Sequence, residues 1–242
     1  MPFLFIFVKR LAMINDVRNT VLSIISKDNR GYITPDEFNL FAKQAQLEIF
    51  EQYIYSYSNS IVKQNARMFG EGYTDVPKNM GEVLDSFSTL AALTFSNPNF
   101  LLPIDFYYLE RVMYNNTIEV EKVSQRKISA LLNSNLTAPD VNNPVYTMSD
   151  PGLVVYPTTI STNITTQYLR YPKDPVWTYN SITAGQPVFD PTNAFAQDFE
   201  LPLSDFSGLV VKILQYAGVS IREMEVVQAA KSEEIQDSQQ KQ

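Results

Sequence analysis

Thr34-Pro35-Asp36-Glu37-Phe38 carries the clearest local instruction in this chain. A threonine hydroxyl accepts from the backbone N–H three residues on, and proline is preorganised for the first helical position. A glutamate three residues after the threonine can bond back to the threonine's own N–H. The stretch therefore predicts a helix start. Phe38, Phe41, Ala42, Ala45, Ile49 and Tyr53 follow at three- and four-residue spacing, and the pattern continues to about Arg67, ahead of Gly70 and Gly72. At 1.5 Å per residue this is a rod of roughly 45–50 Å, a length that suits a bundle or an assembly.

Upstream, residues 27–32 (KDNRGY) read as a turn, and Val17, Val21, Ile24 and Ile25 place an amphipathic helix over 14–26. Residues 1–12 (MPFLFIFVKRLA) have an apolar run too short for a bilayer, which needs about 20 residues, and their basic residues follow that run, unlike a signal peptide. They are expected to be an extension outside the fold, ahead of Met13. No other segment reads as membrane-spanning.

Downstream, residues 77–87 read as a helix and 89–95 are ambiguous. Val112, Tyr114, Ile118 and Val120 suggest a hairpin, with Asn115-Asn116 able to take the positive φ of its turn. Ser124 caps a short helix, SQRKISALL. Residues 145–147, 153–156 and 165–171 read as short strands, broken by Asp150-Pro151-Gly152 and Pro157. A last helix, capped by Ser204 or Asp205, is expected through about Ala230, with Leu209, Val210, Ile213, Leu214, Ala217, Ile221 and Val226 on its face. The expected fold class is α+β: a helical bundle, made of long N-terminal helices and a returning C-terminal helix, with an inserted small antiparallel β-sheet and a long loop or arm. The expected parts are 1–12 (extension), 13–98 (helical), 99–172 (β-rich), 173–203 (arm), 204–230 (helix packed on the first ones) and 231–242 (polar tail).

Composition narrows the chemistry. The 242 residues include no cysteine and no histidine. That removes disulfides, thiolate metal sites, cysteine nucleophiles and the usual general base of hydrolases. Net charge is −7, with no basic stripe of the kind a sequence-specific DNA binder carries. Charged residues are 19%, below the roughly 25% of average domains, while Tyr and Phe are abundant; such a surface suits contact with other proteins.

Residues 26–37 have EF-hand spacing at Asp28, Gly31, Ile33 and Glu37, but Ser26 and Arg30 stand where calcium needs oxygen ligands, so a capped turn is the better reading. Asp36/Glu37 and Glu119/Glu121 are adjacent or alternate carboxylates without the facing geometry of a glycosidase. Lys122, Lys127 and Lys212 lack any nucleophile signature. No catalytic, cofactor or metal residue is assigned, and the chain is expected not to be an enzyme. The stretch with Tyr171, Trp177, Tyr179 and Phe189 reads either as a lid over the chain's own sheet or as an arm docking on a neighbour, since Trp and Tyr are preferred anchors. In the polar tail, Lys231, Glu233, Glu234 and Ile235 are further docking candidates.

The run Leu102-Pro103-Ile104-Asp105-Phe106-Tyr107-Tyr108-Leu109, then Val154-Val155-Tyr156-Pro157, residues 165–172 (TTQYLRYP), Leu201-Pro202-Leu203 and the helix from Leu209 resembles the head-to-tail connector (adaptor or ring) proteins of tailed bacteriophages. Residues 14–50, 134–139 and 212–223 look most like the ring proteins of crAss-like phages. The resemblance spans about residues 13–239. It implies a structural virion protein: a homo-oligomeric ring, commonly of twelve copies, below the portal protein, joining capsid to tail and continuing the DNA channel. It implies the portal and further tail proteins as partners, passage of genomic DNA without specific binding, no membrane, and a place in the virion neck after synthesis in the bacterial cytoplasm. The alternative is a carbohydrate- or receptor-binding module of a virion that uses the aromatic loops.

Overall fold

Backbone groups pair in a small set of patterns, and the described residues use helix and antiparallel sheet in both of the regions into which they divide. A computed structural model describes residues 3–27, 32–65, 75–181 and 185–218. In chain order the elements are α1 (Phe3–Lys27), α2 (Pro35–Asn65), α3 (Asp75–Asp85), β1 (Ser88–Ala92), β2 (Thr94–Ser96), β3 (Asn99–Leu101), β4 (Phe106–Tyr114), β5 (Ile118–Glu119), β6 (Glu121–Lys122) and α4 (Gln125–Leu132). They continue with β7 (Val145–Ser149), β8 (Gly152–Tyr156), β9 (Ile164–Arg170), β10 (Tyr179–Ser181), β11 (Pro187–Phe189), a 3-10 turn (Leu203–Asp205) and α5 (Phe206–Tyr216). Two compact units share them: Met1–Gln52 with Lys173–Gln242, and Tyr53–Pro172.

In the first unit, Thr34 and Glu37 form the expected capping box. The Thr34 N–H donates to Glu37 Oε2 at 2.9 Å, and the Glu37 N–H donates to Thr34 Oγ1 at 3.3 Å. The apolar stripes then bury as their spacing dictates: Ile14, Val17, Val21 and Ile25 on α1, Phe38, Ala42, Ala45 and Ile49 on α2, and Leu209, Val210, Ile213 and Leu214 on α5. The helix α5 packs on α1. It is also tied to α2, because Glu48 accepts from Lys212 Nζ at 2.6 Å and from the Tyr216 hydroxyl at 2.8 Å. The helix α1 takes in residues 3–12; beside Met13 it meets the buried carboxylate of Asp198, which accepts the N–H groups of Met13 (3.3 Å), Ile14 (2.8 Å) and Phe199 (2.8 Å). Three donors on one carboxylate offset the cost of removing it from water.

In the second unit, two larger sheets have the orders β1-β9-β4-β5 and β2-β3-β8-β7-β6. All their pairs are antiparallel except β6 with β7, whose crossover carries α4. The sheets share strands. The chain passes from β1 to β2 through Leu93 and from β5 to β6 through Val120. At those corners the Leu93 N–H still bonds to the Ile164 carbonyl and the Val120 N–H to the Val112 carbonyl, both at 2.9 Å. Followed through the two shared strands, the order runs from one sheet into the other and back to its first strand, so the strands wrap as a barrel around one core. Leu93 and Val120 turn into a core with Phe100, Leu109, Val112, Tyr146, Leu153, Val155, Ile160 and Ile164. The β4–β5 turn has Asn115 and Asn116 at φ 51° and 58°, and Ser124 Oγ accepts the Arg126 N–H at the start of α4.

The expected fold class needs correction. Five α-helices and eleven strands in three sheets stand among the described residues. The chain is a mixed α and β protein rich in sheet, with α3, α4 and α5 short, and not a helical bundle carrying a small inserted sheet. The physical cause lies in the corners: strands of two to five residues on each side of a bend show no period long enough to read. The ambiguous residues 89–95 are β1, the Leu93 corner and β2, and the stretch read as arm contains β10 and β11. The last helix also stops earlier than expected. The N–H groups of Ala217 and Gly218 bond back to Ile213 and Gln215, and Gly218 has φ +63°, a conformation that ends a helix and suits glycine. Ile221, Val226 and the rest of residues 219–242 lie outside the described residues.

A Cβ on Gly152 would stand 1.9 Å from the Phe100 carbonyl oxygen, backbone that cannot yield cheaply. Gly152→Ala should therefore cost about 1–3 kcal/mol in denaturant unfolding. Among the described residues Gly81, inside α3, has the Tyr57 ring as its one neighbour within 4 Å, at 3.6 Å, so Gly81→Ala should instead raise stability by about 0.5–1 kcal/mol. The capping box makes a separate prediction. Bonds from the Thr34 backbone and hydroxyl hold the Glu37 carboxyl below the ordinary carboxylate range. A depressed folded value means its stabilisation is present at neutral pH and lost as pH falls through that value. Thr34→Ala should cost about 1 kcal/mol at neutral pH, and its gap from the wild type should narrow in acid unfolding titrations.

Candidate functional site

The stretch after Lys173 contains the densest set of aromatic side chains expected to dock, so its attachment decides what it offers. Three side chains on α2, spaced as one helical stripe, hold it. Asn39 bonds the backbone of Trp177 at both ends, accepting its N–H at 2.8 Å and donating to its carbonyl at 3.3 Å. Lys43 pairs with Asp174 at 2.7 Å. Gln46, 1% exposed, donates to the Lys173 carbonyl at 2.8 Å and accepts the Glu200 N–H at 2.9 Å. The Lys173 N–H completes the base by donating to Glu200 Oε2 at 2.8 Å. One buried amide thus joins the two ends of the arm, and the segment between them is a closed loop with an anchored base.

Trp177 fills the inside of that loop. It is 2% exposed. Its indole N–H donates to Asn15 on α1 at 3.2 Å, and the Arg18 guanidinium carbon stands 3.8 Å from its ring centroid. Tyr179 and Phe189, cross-strand partners in the β10–β11 hairpin, lie nearly parallel to the indole at centroid separations of 5.6 and 5.8 Å. Burial pushes the Arg18 guanidinium below its ordinary value, and the charge interaction with Tyr32, together with the hydrogen bond that Arg18 donates to the Tyr32 oxygen, opposes this. The indole's π face compensates part of what water would have given the cation. Asp190 closes the hairpin base: it accepts the Thr192 N–H and hydroxyl and an Asn180 N–H, and these bonds hold its carboxyl below the ordinary range.

Of the residues read as docking candidates, Trp177 is therefore committed within its own chain, and Tyr179 and Phe189 are stacked on it while Tyr179 keeps an exposed edge. Tyr171 belongs to the barrel unit. Its N–H bonds to the Asp105 carbonyl at 2.8 Å, its ring meets Tyr107 edge-on at 4.9 Å, and it stays partly open to solvent. Lys231, Glu233, Glu234 and Ile235 lie outside the described residues, as do Asp28 and Gly31 of the calcium-like spacing. Glu37, that spacing's last oxygen donor, is engaged by Thr34. Glu119 and Glu121 sit on either side of the Val120 corner, on strands of different sheets, and Glu119 faces Arg111 at 3.8 Å.

Two exposed apolar side chains of the barrel unit escaped the sequence reading as docking candidates. Ile104 is fully exposed at the tip of the β3–β4 turn, which is braced by bonds from Phe106 N–H to the Pro103 carbonyl and from the Tyr168 hydroxyl to Asp105. Leu136 is 93% exposed between α4 and β7, where Ser134 Oγ accepts the N–H groups of Leu136 and Thr137. The available signal was an apolar residue directly after Pro103 for Ile104, and an apolar residue between the α4 C-cap Asn133 and Pro139 for Leu136. Among the described residues no helix is long and apolar enough to cross a membrane.

Gln46→Leu should take away the side-chain partner of the part-buried Lys173 carbonyl and Glu200 N–H, at about 1 kcal/mol for each bond lost. Trp177 is the single tryptophan, so its emission follows the loss directly in a denaturant titration. An unchanged midpoint would remove the amide from this role. No family model matches the sequence, and no curated protein matches it.

Proposed function

We propose that this chain is a structural subunit of the ring that joins a tailed-phage capsid portal to its tail and continues the DNA channel. The observation that carries the reading is the ordered set of connector-like motifs through nearly the whole chain, from the helix after Met13 to that from Leu209. Several features support it. The chain has neither histidine nor cysteine, which suits a mechanical part better than a catalyst. Ile104 and Leu136 are apolar side chains held out on hydrogen-bonded turns, the kind of preordered anchor that loses little entropy on docking. A net charge of −7 suits a channel wall that DNA slides past, since each cation on a phosphate would add affinity.

In this reading copies of the chain form the ring, the portal lies on one side and further tail proteins on the other, and the assembly resides in the virion neck. The sugar-binding alternative depended on aromatic platforms. Trp177 offers a sugar no free face while Tyr179, Phe189 and Arg18 occupy its surroundings.

Mixing the purified protein with the portal ring of its phage, followed by native mass spectrometry and electron microscopy, tests the proposal. A closed ring stacked on the portal with fixed stoichiometry is expected. A monomer that ignores the portal and every other tail protein would contradict it.

A further inference from the structure

Asp198 does at Met13 what a carboxylate does at the first turn of a helix. Each N–H inside a helix points at the carbonyl four residues back, and only the first four N–H groups lack such a partner. A carboxylate at the helix start takes them and sits at the positive end of the helix dipole. Met13 lies well inside α1, yet its N–H and that of Ile14 donate to Asp198 Oδ2 and Oδ1 at 3.3 and 2.8 Å. The carboxylate comes from 184 positions beyond Ile14, and Asp198, Met13 and Ile14 are all buried. The sequence changes character at the same place. From there Ile14, Val17, Val21 and Ile25 form one buried stripe, while Asp16, Asn19, Ser23 and Ser26 are exposed. Phe3 to Val8 are instead six apolar residues in a row. At about 100° per residue such a run leaves a helix no polar face, so it does not continue the stripe. The residue at the change is a methionine, which can initiate a chain.

We propose that the working chain begins at Met13 and that Asp198 is the seat of its α-amino group. In a chain initiated there, the nitrogen that stands 3.3 Å from Asp198 Oδ2 is an ammonium in place of an amide N–H. That atom need not move to make the pair. A bond from a neutral donor becomes a bond between opposite charges, which is about twice as strong, and its burial keeps salt from screening it. Ile14 keeps Met13 in place after initiation, because trimming of an initiator methionine requires a small residue next to it. Asp198 then joins the start of the chain to the segment that returns after the barrel unit, and Phe199 donates its own N–H to the same carboxylate.

Intact mass and N-terminal sequencing of the protein isolated from its native source test where the chain starts. A start at Met13 is expected, and a start at Met1 would overturn the proposal. Asp198→Asn, made in a chain from Met1 and in a chain from Met13, tests the seat. Asparagine keeps an oxygen acceptor for the N–H groups and gives up the charge. The substitution should lower the denaturant midpoint in both chains, by about twice as much in the chain from Met13, where it also breaks an ion pair. Equal losses would overturn the seat, as would a chain from Met13 that does not fold. Should neither Asp198→Asn chain fold, amine labelling of the unsubstituted chain from Met13 decides. Its α-amino group should react about tenfold more slowly in the native state than in denaturant, and equal rates would overturn the seat.

Discussion

A single buried amide closes the first unit. Gln46 is out of water, so both ends of its side chain need partners, and it finds them in the Lys173 carbonyl and the Glu200 N–H. The chain leaves this unit after Gln52 and returns at Lys173. That return must be fixed against α2 by something stronger than chance contact. Gln46, Lys43 and Asn39 fix it along one helical stripe, and the anchored loop then delivers Trp177 and Asp198 to α1. Without the stripe, α1 and α2 would keep their apolar faces but lose the segment that caps and covers them.

The barrel unit rests on a different constraint. The chain bends at Leu93 and at Val120 from one sheet into the other, and the N–H groups of both residues keep their backbone partners through the bend. The same bends turn two apolar side chains inward, so the wrapping of the strands and core formation come from the same residues. Gly152 is part of that geometry, because its strand passes against the Phe100 carbonyl too closely for any side chain.

What could be read from sequence was what depends on a few adjacent residues. The Thr34–Glu37 box, the Asn115-Asn116 turn and the Ser124 cap each state their conformation within four positions, and the long period of α2 states its length. Features made by residues far apart in sequence were not legible. The barrel needs Leu93 to find Ile164 and Val120 to find Val112, and no local pattern in strands of two to five residues announces it. The aromatic arm was legible as composition but not as placement: Trp177 is an anchor, yet its partner is Arg18 in the same chain. Asn39 and Gln46 read as ordinary polar helix positions because their partners are backbone groups more than a hundred residues away.

The functional reading joins these units to one task. The helical unit is clamped by its own arm, the second unit wraps its strands around one core, and apolar side chains on braced turns suit the docking that the proposed ring requires. Cryo-electron microscopy of the intact virion neck tests this most directly. The account predicts a ring of copies directly below the portal around the DNA path, into whose density the helical unit and the barrel each fit. A neck whose density is filled by other chains, or a virion without this protein, would contradict it.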